Sequence, residues 1–152
     1  MKWWYGRFGA LSVGDLYDAL ALRSQVFVVE QNCVFLDADG ADRDSGHLLG
    51  RDEAGVLQAY LRVVDPGVKF AEPSIGRVIT SEATRGSGLG HVLIAEGIQR
   101  CRQAWPGQPI RIGAQSRLES FYARHGFVRE GVDYIEDGIP HCEMVRPGEN
   151  TA

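Results

Sequence analysis

A chain of 152 residues is long enough for one domain with a proper core, and its 44% hydrophobic and 24% charged content is ordinary for a globular protein. A net charge of −4 provides no broad basic face for nucleic acid, and the longest apolar runs are far too short to span a bilayer. The start, MKWWYGRFGAL, lacks the apolar core and small-residue cleavage site of a secretion signal, so a cytoplasmic location is expected, with no nucleic acid and no membrane as partner. Three scattered cysteines, Cys33, Cys101 and Cys142, without a CxxC pair argue against a disulfide framework or a zinc site, and no metal is expected.

Residues 3 to 8 read as an edge strand. Ser12 caps a helix in which Val13, Leu16, Tyr17, Leu20 and Phe27 keep helical spacing, running to about Val28 or Glu30. The acidic run 37–44, DADGADRD, reads as a solvated turn. A calcium loop starting at Asp37 would need an oxygen ligand where Ala41 stands, glycine where Asp42 stands and glutamate where Leu48 stands. His47 to Gly50 and Val56 to Val64 form a hairpin around Asp52-Glu53-Ala54-Gly55. Residues 65–74 lead into a β-branched strand, Ile75 to Thr80.

A glycine-rich turn, Arg85 to Gly90, then opens a helix from about Gly88 to Trp105, with Ile94, Ile98, Cys101 and Trp105 on one stripe. Ile110 to Ala114 is a short strand. Ser116 starts a helix reaching about His125, with Glu119 in the capping-box position and Gly126 ending it. Phe127 to Arg129 begins a strand that Asp133 to Glu136 continues or bends. Asp137-Gly138 turns the chain into a last strand, Ile139 to Val145. The order β-α-β-β-β-α-β-α-β-β is a mixed α/β layout with antiparallel ends, read as a single domain over residues 1–152.

The glycine turn carries the chemistry. Glycines remove side chains between a ligand and the backbone and tolerate positive φ. Free amides at the helix start, with the dipole behind them, make an anion site suited to phosphate. The turn is not a Walker loop, because it ends Gly-Leu-Gly-His. It is not a dinucleotide fingerprint either, because the sixth position from Gly86 is His91.

Set between strand and helix, Arg85-x-x-Gly88-x-Gly90 resembles the pyrophosphate loop of the GNAT acetyltransferases, Arg/Gln-x-x-Gly-x-Gly/Ala. Residues 116–127, SRLESFYARHGF, match that family's second signature, Phe-Tyr-x-x-x-Gly-Phe. The segments from Phe27 to Cys33, Ile75 to Ile79, Gly113 to Gln115 and Glu136 to His141 look like the ElaA group of the superfamily. The similarity covers nearly the whole chain.

The resemblance implies a GNAT-like acyl-CoA N-acyltransferase fold and transfer of acetyl from acetyl-CoA to a primary amine, on a small molecule or a peptide. It implies that pantetheine lies along Val78, Ile79 and Thr80, where the sheet splays from the strand at 110–114. The pyrophosphate is then expected over the amides of Arg85, Gly86, Ser87, Gly88, Leu89 and Gly90. Tyr122 is the candidate general acid for the leaving thiolate, against the alternative of a core aromatic. Glu82 or His141 is the candidate base; an imidazole near about 6.5 suits that work. A lysine-like amine costs about 4–5 kcal/mol to deprotonate at neutral pH, so a base matters. Arg23, Glu30 and Gln31 are expected to line the acceptor pocket, and a helix-end cap is the alternative account of them. The aromatic N-terminus or the terminal strands offer a homodimer surface. A non-catalytic acyl-CoA-binding module on the same fold is the competing reading, and Tyr122 favours catalysis.

Overall fold

The computed structural model describes residues 1–149, and its strands form two antiparallel sheets that meet edge to edge. The first contains β1 (Lys2–Arg7), β2 (Ser45–Arg51), β3 (Leu57–Val64) and β4 (Ser74–Thr80), in that order. The second contains β5 (Ile110–Gln115), β6 (Val128–Glu136) and β7 (Ile139–Arg146), with β7 in the middle. The helices are α1 (Val13–Arg23), α2 (Leu89–Ala104) and α3 (Glu119–Ala123). The order of elements is the one expected.

Strand alternation sorts the side chains into two layers. Ala59, Leu61 and Val63 of β3 pack with Leu93, Ile94, Ile98 and Cys101 of α2. Tyr60, between them in sequence, joins Ala19 of α1 on the opposite face. Gly97 lets α2 lie close, since a Cβ there would come within 2.7 Å of Leu61 Cδ2. Ser12 Oγ accepts the Asp15 N–H at 2.9 Å and starts α1 as expected. Past Arg23 the helix continues as a π-helical stretch, Ser24–Glu30. In this stretch Val26 joins the second core cluster and Phe27 packs against it.

The acidic run 37–44 is not a solvated turn. Asp37 and Asp42 are buried, and three arginines from distant elements converge on the run. Arg23 donates from Nε to Asp37 Oδ2 at 2.9 Å and from Nη1 to Asp42 Oδ1 at 2.7 Å. Arg62 holds Asp39 at 2.6 Å and Asp42 at 3.0 Å, while Arg77 holds Asp37 at 2.9 Å. A charge run looks solvated until its partners are known, and these lie 14 to 40 residues away.

The expected capping box at Ser116 is also absent. Residues Ser116–Leu118 form a 3-10 turn, the α-helix is only Glu119–Ala123, and Ser116 Oγ sits 3.4 Å from Asp133 Oδ1. Glu119, needed to reach back, instead accepts Arg129 Nη1 at 2.9 Å. β6 is continuous but irregular between Glu130 and Tyr134, where Gly131 has φ +83°. The three cysteines are buried and free. Among the described residues no helix is long and apolar enough to cross a membrane, and no cluster of His, Cys, Asp and Glu is placed to hold a metal.

The ion network gives stability a defined pH dependence. Burial alone would raise the Asp39 carboxyl, but hydrogen bonds from Arg62 and Lys69 outweigh it and hold the group well below the usual range. Burial likewise raises the Asp42 carboxyl, and Arg23 and Arg62 outweigh that effect and lower it. A lowered folded pKa stabilises above the unfolded value of about 3.9 and is lost as pH falls below it. The urea midpoint is therefore expected to fall between about pH 6 and about pH 3, and Asp39→Asn, costing about 3 kcal/mol at the higher pH, should fall less steeply. Parallel pH curves for the two proteins would remove Asp39 from this account.

Candidate active site

β4 and β5 touch at one end and part at the other. The Arg111 N–H donates to Pro73 O at 3.1 Å, and past that bond no backbone hydrogen bond joins the two strands among the described residues. A bulge in β4 helps them diverge. Tyr60 faces Ile79 and Arg62 faces Gly76, which leaves one extra residue in β4, and Arg77 there has φ +51°. Ser81 N–H bonds Gln58 O at 2.9 Å, so antiparallel alternation pairs Ile79 with Tyr60 and turns the N–H groups of Val78 and Thr80 toward the cleft. Thr80 O accepts Arg85 Nη2 at 3.2 Å.

Two cavities of the cleft bear on the candidate residues, beside a third of about 160 Å³ among Val78, Thr80, Gly90 and Tyr122. One of about 430 Å³ lies among Glu30, Gln31, Val78, Thr80, Arg85 and Arg117. Another of about 140 Å³ lies among Phe27, Gln31, Val78, Gly113, Tyr122 and His141.

The glycine turn is built as expected, with fewer amides to offer. Gly86 and Gly88 have φ +81° and +84°, and a Cβ on either would meet nothing within 4 Å. The N–H of Arg85 is taken by Glu82 O at 3.3 Å and that of Ser87 by Thr84 O at 3.3 Å. The amides of Gly86, Gly88, Leu89 and Gly90 have no backbone partner among the described residues. Of the six amides expected to face a pyrophosphate, four are free to do so. Arg85 turns its guanidinium back onto Glu30, Nη2 to Oε1 at 2.6 Å, tying the exit of the π-helix to the loop.

Tyr122 is buried, edge-on to Phe121 and Phe127 at centroid distances of 5.1 and 5.9 Å. Burial pushes its hydroxyl up to about 12, so it stays a proton donor at neutral pH. It packs in the core that contains Ala114 and Cys142. His141, next to Cys142 and opposite Gln115, therefore points to the other face of the sheet. The gap between β4 and β5 joins the two faces, and Tyr122 and His141 line one cavity through it. His141 Nδ1 lies 2.7 Å from Ile139 O, which can only accept, so Nδ1 carries the proton and Nε2 keeps its lone pair in the neutral ring. The ring stacks on Tyr134 at 5.7 Å, and Nε2 is 3.7 Å from Glu136 Oε2.

The other candidates separate. Glu82 is exposed in a 3-10 turn and lines neither cavity. Arg23 is buried in the ion network and lines neither cavity, so its charge is spent on Asp37 and Asp42. Gln31 faces the cleft, where its Oε1 accepts Gln115 Nε2 at 3.2 Å. The sequence reading passed over Gln115, Phe35, Glu136 and Arg77 as lining residues. Arg77 had a visible signal, since it is the one charged side chain in the strand Ile75 to Thr80.

A family model described as acetyltransferase (GNAT) domain matches residues 43–146. The chain belongs to the GNAT acetyltransferase family. ElaA of Escherichia coli is 43% identical to it over 150 residues, covering 96% of this chain and 96% of that protein. The protein sll0451 of Synechocystis is 43% identical over 145 residues, covering 95% and 94%. The crystal structure of an acyl-CoA N-acyltransferase from Pseudomonas aeruginosa matches with a TM-score of 0.90 at 41% identity, over 95% of this chain and 98% of that one. The crystal structure of E. coli ElaA matches at 0.89 and 41%, with the same coverage.

GNAT proteins use acetyl-CoA, and the turn after β4 fits the diphosphate of that molecule. Four free amides, the start of a 16-residue helix and open space at Gly86 and Gly88 suit a bulky anion. Coenzyme A titrated calorimetrically into this GNAT protein is expected to bind. Gly88→Glu combines strain at positive φ with like-charge repulsion and should weaken binding about 100-fold, while Tyr122→Phe should bind normally. Unchanged binding to a folded Gly88→Glu protein would place the coenzyme elsewhere.

Proposed function

We propose that the chain transfers the acetyl group of acetyl-CoA to a primary amine, on a small molecule or a peptide, by direct attack of the amine on the thioester. The observation that carries this reading is the shared cavity of Tyr122 and His141. Tyr122, with its hydroxyl protonated, and His141, with a lone pair on Nε2, both line it, which supports a donor and an acceptor for the reaction. Acetyl-CoA, when bound, supplies an activated acyl group with a thiolate as leaving group.

The chain's own residues do the rest. The free amides of Gly86, Gly88, Leu89 and Gly90 hold the diphosphate. The N–H groups of Val78 and Thr80 pair with the amide-bearing arm and align it along β4. His141 Nε2 takes the proton from the ammonium, which must be neutral to attack. Tyr122 donates its proton to the departing sulfur. Between the two candidate bases, His141 is favoured over Glu82, because only His141 lines the cavity. A module that merely bound acyl-CoA would have no use for a donor and an acceptor facing one cavity.

Steady-state kinetics with a panel of primary amines tests the assignment. Tyr122→Phe is expected to lower kcat about 10²-fold with little change in KM for acetyl-CoA. His141→Gln should cause a similar loss at neutral pH that shrinks as pH approaches the amine's own value of about 10.4, where no base is needed. Glu82→Gln should be almost silent. A loss confined to Glu82→Gln would hand the base role to that residue, and absence of turnover in a folded, coenzyme-binding protein would leave a binding module.

A further inference from the structure

The cavity beside His141 does not stand alone. A second pocket of about 130 Å³, lined by Arg62, Lys69, Ser74, Arg77, Tyr134 and Glu136, adjoins it, and Ile75, Gly76, Arg77, Gly113 and Glu136 line both. Two strand-interior glycines line both, and Gly76 leaves open space, in a position where glycine often marks the close approach of a ligand. Neither has a positive φ, so the backbone does not demand glycine at 76 or 113. A Cβ at Gly113 would lie 2.8 Å from Tyr134 Oη. A Cβ at Gly76 would have one atom within 4 Å, Arg62 Nε at 3.9 Å.

That nitrogen is the buried side-chain polar atom that lacks a hydrogen-bond partner among the described residues. Buried donors are nearly always satisfied, and one on a charged group is costly to leave alone. The surrounding charges are also unequal. Four cations, Arg23, Arg62, Lys69 and Arg77, share three carboxylates, Asp37, Asp39 and Asp42. Lys69 Nζ meets Asp39 at 2.8 Å, and Arg77 engages Asp37 and Asp39 through Nε and Nη2. At the Glu136 side of the pocket the sign reverses: among the described residues Glu136 has one ion-pair partner, His141 at 3.7 Å, and its side chain is 61% exposed. The adjoining pocket is short of an anion beside Arg62, and the wall it shares with the first cavity presents a carboxylate, Glu136, next to the proposed base. A zwitterion has the matching charges.

We propose that the acetyl acceptor is a small free amino acid, its carboxylate held by Arg62, Lys69 and Arg77 above Gly76 and its amine directed past Glu136 to His141. This rests on the acetyl-transfer reading. In the step it specifies, the amine nitrogen forms the amide C–N bond and the thioester C–S bond breaks. The ammonium's first proton goes to His141 Nε2 and on to solvent, Tyr122 gives its proton to the thiolate, and the second proton lost by nitrogen as the amide forms returns Tyr122 to its hydroxyl form. Glu136 attracts the ammonium before it is deprotonated.

The test pairs each acid with the amine that lacks only its carboxylate: glycine, β-alanine, 4-aminobutyrate and 6-aminohexanoate against methylamine, ethylamine, propylamine and pentylamine. At least one acid is expected to exceed its partner about 100-fold in kcat/KM, as for a desolvated charge pair. Gly76→Ala, which places a methyl group over Arg62 Nε without close contact, should collapse that ratio about tenfold, chiefly through KM for the acid, and Lys69→Ala should act in the same direction. Thermal unfolding of the unmodified protein with the preferred acid, but not with its amine partner, should shift upward, and Gly76→Ala should abolish the shift. Equal transfer to acids and amines, or an equal effect of Gly76→Ala on both, overturns the amino-acid assignment and leaves acetyl transfer standing. An acid-specific thermal shift without transfer supports the pocket and sinks the transfer reading instead.

Discussion

The bond between Arg111 N and Pro73 O fixes where the two sheets meet, and the rest of the cleft follows from how they part beyond it. An unbroken sheet would have used the backbone groups of Val78 and Thr80 on a neighbouring strand. Main-chain donors and acceptors both need partners, so an opening in the middle of a sheet is tolerated only if something else supplies them. Arg85 supplies one, by donating to Thr80 O. The cleft therefore combines a structural debt with a place for an extended, amide-containing molecule.

Holding that opening requires a strained residue. Arg77 sits at φ +51° in the β4 bulge, a conformation that costs a non-glycine residue about 1–2 kcal/mol. Its guanidinium is fastened to Asp37 and Asp39 and lies over the rings of Phe27 and Phe35 at 5.9 and 5.6 Å. The acidic loop is thus the support of the bulge. Since Asp37 also binds Arg23 of α1, the helix, the loop and the splayed strand form one mechanical unit. Glu30 and Arg85 extend this unit to the glycine turn, although that pair is partly exposed and its strength is modest.

Local rules explain why so much of the fold was legible. Ser12, the turn at Asp52 to Gly55 and the glycine run at 86–90 each act through neighbours a few residues away. Their outcomes follow from propensity and capping. What escaped the sequence depended on distant partners. Ser116 and Glu119 have the spacing of a capping box, but Arg129 on β6 claims the glutamate. Arg23 looked like a pocket residue because it ends a helix near the cleft, yet Asp37 and Asp42 draw it inward. DADGADRD had the composition of a solvated loop, and no window shorter than the separation of Arg23, Arg62 and Arg77 would have shown otherwise. The choice between Glu82 and His141 was of the same kind. It turns on which side of a gap each residue occupies, and pairing register decides that.

The register also bears on how the proposed acid and base can line one small cavity in different surroundings. Cys142 and Ala114 point into the core with Tyr122, and the next residue on β7, His141, must point away. Tyr122 is thereby kept in apolar surroundings, where burial holds its proton. His141 is kept on the polar face, where Ile139 O fixes the tautomer. In a closed sheet these two environments would be sealed from each other by the β4–β5 ladder. The splay removes the ladder at that point, so one cavity reaches both groups while each keeps its own surroundings. The separation of donor and acceptor is thus a property of the strands, and the bulge at Arg77 makes it usable.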